Sequence, residues 1–216
     1  MEFQRPDDGH VGRRHPASGV HIHSGEPTIV FVTVVTRDRE RWLTQPLVHE
    51  CLREAWWEAQ AWLVGFYLLM PDHLHLFCAP RDLNLTLDAW VTYWKSQFKK
   101  KLNARLQGRV RLPPNPDLVG TEPAAMPPFF SAADEEFQRK WIRKSQVVSA
   151  PTNLGSAGAS PSQYRWQEGK PWDTRLRRGE NYEQKWRYLQ ENPVREGLVG
   201  DSVDWPYQGM LHVLQW

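Results

Sequence analysis

The stretch Tyr67-Leu-Leu-Met-Pro-Asp-His-Leu-His-Leu-Phe-Cys-Ala-Pro80 decides how the rest of the chain is read. Hydrophobic residues flank Met70-Pro71-Asp72 on both sides, so the run reads as two strands, Trp62 to Met70 and His73 to Ala79, meeting at a turn. Residues two apart on a strand point to the same face of the sheet. His73 and His75 therefore stand side by side above an otherwise apolar surface. Paired imidazoles suit a divalent metal, although His-x-His by itself is a weak signal.

Working outward, Thr28 to Thr36 is β-branched and aromatic, the composition of a strand. Thr44 then caps a helix through about Ala61, with Leu47, Val48, Cys51, Leu52, Ala55 and Trp56 at helical spacing. Beyond the strand pair, a second helix spans Leu85 to about Leu106, its core stripe being Trp90, Trp94, Phe98 and Leu102. From Gln107 to about Ser162 the chain turns rich in Pro, Gly, Ala and Ser, with one amphipathic stretch from Ala132 to Val147. So long an irregular segment inside a compact domain reads as an insertion. A final strand is expected at Tyr164 to Glu168. Asn181 then caps a helix with Gln184 at its third position, ending near Asn192 because Pro193 discourages continuation. The order β-α-β-β-α-β-α predicts an α+β fold, a ferredoxin-like split βαβ antiparallel sheet with one extra C-terminal helix. The expected organisation is a disordered tail over 1–27, one domain over 28–207 carrying the 107–162 insertion, and a short tail over 208–216.

The bulk composition bounds the function classes. At 216 residues, with 40% hydrophobic and 24% charged content, the chain fits one domain with a substantial core. No stretch is apolar enough to cross a membrane. Residues 1–27 lack the apolar core of a secretory signal. Cys51 and Cys78 have no metal or redox spacing and read as buried thiols in a reducing cytoplasm. A net charge of +2 hides one local excess. Lys95, Lys99, Lys100, Lys101, Arg105, Arg109 and Arg111 follow one another without an acidic residue between them. Such a block is either a phosphate-binding surface or a solvated helix face. The tryptophans are mostly core by expectation, and a few exposed ones would stack on bases.

The last helix carries the second half of the chemistry. At about 100° per residue, Tyr182, Trp186 and Leu189 share one arc and form the buried stripe. Tyr188 lies off that arc, with Asn192 one turn further on near the same side and Gln184 and Lys185 flanking them. An off-stripe tyrosine is usually an ordinary surface residue. Tyr182 is the rival phenol, ranked lower because it sits in the core stripe. A second His-x-His, His21 and His23, lies in the N-terminal tail without the flanks of a buried strand.

Met70-Pro-Asp-His-Leu-His-Leu together with Tyr188-Leu-Gln-Glu-Asn-Pro-Val-Arg-Glu-Gly-Leu-Val199 resembles the REP-associated tyrosine transposases, members of the single-tyrosine HUH group. Tyr93-Trp-Lys-Ser-Gln-Phe-Lys, Trp166-Gln-Glu-Gly, Asp173-Thr-Arg-Leu-Arg and Trp205-Pro-Tyr support the likeness. It covers about Thr28 to Leu106 and Gln163 to Tyr207, and the insertion departs from it.

The resemblance implies a metal-dependent DNA strand transferase of the bacterial cytoplasm and nucleoid. It would cleave and rejoin single-stranded DNA that folds as hairpins from palindromic repeats. His73, His75 and Asn192 would hold Mg²⁺ or Mn²⁺, and Tyr188, on the extra C-terminal catalytic helix, would be the nucleophile, leaving a 5′-phosphotyrosine and a free 3′-hydroxyl. Lys95, Lys99, Lys100, Lys101 and Arg105 would contact the hairpin backbone. Relatives include monomers and homodimers, and nothing in the sequence chooses. Two other readings stay open: a non-catalytic single-stranded nucleic-acid-binding module on the same sheet, and a metal hydrolase that uses water.

Overall fold

The computed structural model describes residues 28–108, 163–176 and 179–214, with backbone alone at 179–181. The expected N-terminal tail with His21 and His23, Arg109 and Arg111, and most of the insertion lie outside these residues. The described elements are β1 (Ile29–Val35), α1 (Pro46–Glu58), β2 (Trp62–Leu69), β3 (His73–Pro80), α2 (Leu87–Leu106), β4 (Trp172–Leu176), α3 (Gly179–Arg195) and β5 (Gln208–Met210). Five strands form one sheet in the order β4-β1-β3-β2-β5, every neighbouring pair antiparallel. The fold is α+β. Among the described residues no helix is long and apolar enough to cross a membrane.

The sheet separates two apolar layers. Val30, Val32, Val34, Leu74, Leu76 and Cys78 point to one face and pack against α1 and α2, where Trp56, Trp90, Trp94 and Phe98 fill the space. Ile29, Phe31 and Phe77 point to the other face, against Tyr182, Trp186 and Leu189 of α3. Strict alternation on β1 and β3 follows from the two-residue period of a strand. Strand β2 departs from it. Val64 lies opposite Cys78 while Tyr67 lies opposite Leu76, so β2 carries one extra residue between those pairs. This bulge resets the phase, so that Tyr67 and Leu69 still face α1 and α2 while Phe66, Leu68 and Met70 face α3.

Several sequence expectations require correction. The strand expected at Tyr164 to Glu168 is reduced to one isolated bridge, Thr36 with Trp166. The strand itself lies at Trp172–Leu176 and pairs with β1. Its polar alternation, a consequence of an edge position half open to water, concealed it. Within the stretch expected as a C-terminal tail, the described residues 208–214 join the fold: Gln208–Met210 pair with β2, and Leu211 and Leu214 are buried. Gly209 faces Tyr67 across that pair, where an ideal Cβ would lie 2.5 Å from the phenol oxygen, so the tyrosine ring covers the glycine. Helix α1 starts at Pro46 after Gln45 rather than at Thr44, the proline occupying a first-turn position whose N–H needs no partner.

Helix α3 begins at Gly179, with Asn181 inside it, and runs through Pro193 to Arg195. The proline sits in the last turn, where little helix remains to disrupt. The helix instead stops at Gly197, whose φ of +67° few other residues accept. The Gly197 amide donates to the Val194 carbonyl at 3.0 Å and the Leu198 amide to the Pro193 carbonyl at 2.8 Å, which closes the end as a Schellman motif.

Candidate active site

β3 places His73 and His75 on the α3 face of the sheet, as their spacing predicts. Their ring centroids are 4.8 Å apart. Each imidazole is fixed from behind through Nδ1. His73 Nδ1 lies 2.7 Å from Asp72 Oδ1, and since a carboxylate only accepts, the imidazole donates. His75 Nδ1 lies 2.8 Å from Thr33 Oγ1, directly across the β1–β3 ladder. Nδ1 is the donor at His73, and the Thr33 hydroxyl, which both donates and accepts, permits the same tautomer at His75. In that tautomer Nε2 carries the free lone pair. Nδ1 bonds of this kind are what orients metal-binding histidines elsewhere.

The electrostatics favour neutral imidazole at His75. Burial first, then the charges of His73 and Lys185, pull its pKa down to about 3. Its Nε2 is buried with no hydrogen-bond partner. Phe31 stacks on the ring at 5.3 Å. Burial alone would raise the Asp72 carboxyl, but the hydrogen bond and charge of His73, together with Arg39 at 3.3 Å, hold it below its usual range.

α3 brings Tyr188 to the same place. Its ring centroid lies 6.1 Å from that of His75, and the side chain is 42% exposed. Tyr182, Trp186 and Leu189 are buried beneath it, so the split between core stripe and exposed phenol follows the sequence periodicity. Tyr182 packs on Phe77 at 4.3 Å, and burial raises its pKa. The rival phenol is therefore core.

Asn192, one turn beyond Tyr188, is buried, and its amide nitrogen has no partner. That nitrogen is a donor, so a cation would need the amide turned by half a rotation to offer Oδ1. Among the described residues no group of three His, Cys, Asp or Glu gathers that could hold a metal. Two imidazoles, one with a buried unpartnered Nε2, and the buried amide one helical turn from Tyr188 are thus the donors that β3 and α3 carry. They fit a divalent cation that keeps open positions for other ligands.

Among the described residues the basic block divides into paired and exposed positions. α2 packs on the face of the sheet opposite His73, His75 and Tyr188. Lys95 lies over the Trp166 ring at 5.6 Å, and burial pulls its pKa to about 8. Lys101 pairs with Glu58 at 2.6 Å, and Arg105 with Glu50 at 2.9 Å and Glu54 at 2.5 Å, tying α2 to α1. Only Lys99 and Lys100 of the five stand exposed. The spacing in sequence could not reveal this, because the acidic partners come from a different helix.

Thr33 and Asp72 were missed as site residues. A signal existed for each: Thr33 is a polar residue in phase with Phe31 on an apolar strand face, and Asp72 immediately precedes His73.

No family model matches this sequence, and no curated protein does either. A solved structure of a REP-associated tyrosine transposase bound to a REP hairpin matches with a TM-score of 0.50 and 16% sequence identity. The match covers 88% of this chain and 81% of that one. At that identity the likeness is one of fold.

Proposed function

We propose that this protein is a metal-dependent transposase-type DNA strand transferase. It acts on single-stranded, hairpin-bearing DNA through a phosphotyrosine intermediate. The observation that carries this reading is the 6.1 Å approach of Tyr188 to His75, from elements far apart in the chain. The split βαβ reading of the sheet, with α3 as the catalytic helix, belongs to the same proposal. So does the hairpin partner, which is what the structural neighbour binds.

His73 and His75 through Nε2, and Asn192 through Oδ1, would hold Mg²⁺ or Mn²⁺. When bound, the cation supplies positive charge that offsets the anionic diester and helps orient it for in-line attack. Asp72 and Thr33 keep the imidazoles in the tautomer that offers Nε2. Tyr188 stands at the solvent-open edge of the site, where a strand too large to be enclosed can reach the phenol. In the reaction the Tyr188 hydroxyl gives up its proton as its oxygen bonds to phosphorus, the bond from phosphorus to the 3′-oxygen breaks, and that oxygen takes up a proton, leaving no net change in protons. Rejoining reverses these bond changes and needs no external energy source.

A second reading has one observation in its favour. Trp172 is 48% exposed and lies opposite Thr33 on the face that also bears His75, an arrangement suited to stacking an unpaired base. On that reading the protein binds single strands without cutting them. A hairpin oligonucleotide incubated with Mn²⁺ and run on a denaturing gel separates the two. A covalent adduct that disappears in Tyr188→Phe is the expected result. An adduct that persists in that variant would remove Tyr188 as nucleophile, and cleavage without any adduct would favour a water-using hydrolase.

A further inference from the structure

Lys185, Tyr188, Asn192 and Arg195 fall on one stripe of α3, at intervals of three, four and three residues. Side chains on a helix lean toward its N-terminus, so Arg195 reaches back along the stripe. Its guanidinium carbon lies 5.5 Å from the centre of the Tyr188 ring. Lys185 approaches from the other end, its Nζ 6.0 Å from the Tyr188 ring and 5.2 Å from the Phe31 ring. Phe31 in turn stacks on His75. The exposed phenol therefore sits between two cations, one of which also adjoins a histidine of the site.

Among the described residues Arg41, Arg81, Lys99 and Lys100 also lack an ion pair, so what marks Lys185 and Arg195 is that two cations without a counter-charge converge on one exposed phenol. Arg187, on the same helix, pairs with Glu183 at 2.5 Å. Arg37 and Arg39 pair with Asp38, Glu168 and Asp72, Lys101 and Arg105 with the carboxylates of α1, and Lys170 with Asp88 at 3.0 Å. Among the described residues, no carboxylate forms an ion pair with Lys185 or Arg195. Two like charges converging on one ring without an anion repel each other and leave a local positive potential. Resting on an aromatic face offsets only part of this.

We propose that Lys185 and Arg195 form a phosphate clamp astride Tyr188. They would grip the backbone of the single strand on either side of the attacked diester, so that the missing anion is the substrate itself. This deepens the strand-transferase reading and rests on it for the identity of the strand. Two cations separated by ten residues of helix stand about 15 Å apart at their Cα atoms. Their head groups close in toward the phenol, and a flexible single strand can adapt its phosphates to that spacing. The clamp would place the attacked phosphorus by holding its neighbours, which makes the two residues positioning groups.

The test measures binding and chemistry separately. In the Tyr188→Phe background, where no adduct can form, affinity for an oligothymidylate of about 20 nucleotides is followed against salt. Each phosphate contact contributes about −0.7 to the slope of log K on log salt for a single strand. Lys185→Gln and Arg195→Gln should each flatten the slope by about that amount, and the double variant by about twice it. Lys185→Arg should keep the wild-type slope, and Arg187→Gln should leave it unaltered because that charge is already paired. In the Tyr188-containing protein, the double variant should slow adduct formation with Mn²⁺ at least tenfold at saturating DNA. An unchanged slope in the double variant overturns the clamp, whatever the adduct assay gives. A flattened slope in a protein that forms no adduct even with Tyr188 present upholds the clamp and overturns the strand-transferase reading instead.

Discussion

Replacing Thr33 by Val isolates the one hydroxyl that orients His75. Valine keeps the shape and strand preference of threonine, so the backbone of β1 and its ladder to β3 are undisturbed. What is lost is the oxygen 2.8 Å from His75 Nδ1, in a site where the histidine is only 5% exposed. An imidazole N–H left facing a methyl group loses its partner without gaining water, at a cost of about 1–3 kcal/mol. For a chain of this size each kcal/mol lowers the melting temperature by roughly 2–4 °C. The second consequence bears on the metal. Loss of a hydrogen bond behind a ligating histidine typically weakens binding by about 10–100-fold, or roughly 1.4–2.8 kcal/mol. Mn²⁺ titration by calorimetry, with thermal unfolding in parallel, reads both quantities. Thr33→Ser, which keeps the hydroxyl, should stay close to wild type in each. If Thr33→Val bound Mn²⁺ as tightly as the parent, the hydroxyl would not be setting the tautomer of a ligand, and the reasoning that offers His75 Nε2 to the cation would fail.

Other outcomes follow from the same geometry. Arg105→Gln should destabilise the fold by up to about 3–5 kcal/mol in urea unfolding, because it leaves the buried Glu54 carboxylate with only the longer Lys101 contact at 3.8 Å, and it should leave the salt dependence of DNA binding unchanged. Gly209→Ala should cost about 1–3 kcal/mol by the same measurement, since the new methyl group meets the buried Tyr67 ring. The pH dependence of stability should carry the signature of His49, whose ring is held between Tyr67 and Tyr207 and accepts or donates a 2.9 Å bond with the Tyr67 hydroxyl. Burial first, and the Arg53 charge second, lower its pKa from 6.5 to about 3. Between those values the unfolded chain binds a proton that the folded chain does not. Stability is therefore complete above about pH 6.5 and falls as the pH drops toward 3, by at most about 1.4 kcal/mol per pH unit for one such group. Urea midpoints from pH 7 to pH 4 should show this decline, and His49→Gln should make it shallower.

Periodicity alone determined a good deal of this protein. The two-residue period around Met70-Pro71-Asp72 set His73 and His75 on one face, and the helical period set Tyr188 outside the stripe of Tyr182, Trp186 and Leu189. These are local properties of backbone geometry, so they survive whatever the chain packs against. Tertiary structure decided the rest, because the deciding contacts join residues distant in sequence. Thr33 became the partner of His75 only through strand register. On α2, carboxylates brought by α1 pair with Lys101 and Arg105, and the sheet stands between that helix and Tyr188. Strand β4 escaped notice since an edge half open to water carries no apolar alternation. Which positive charges keep a partner and which are left unpaired beside the phenol is a property of the folded surface, and no spacing along the chain could have told Lys185 and Arg195 from Arg187.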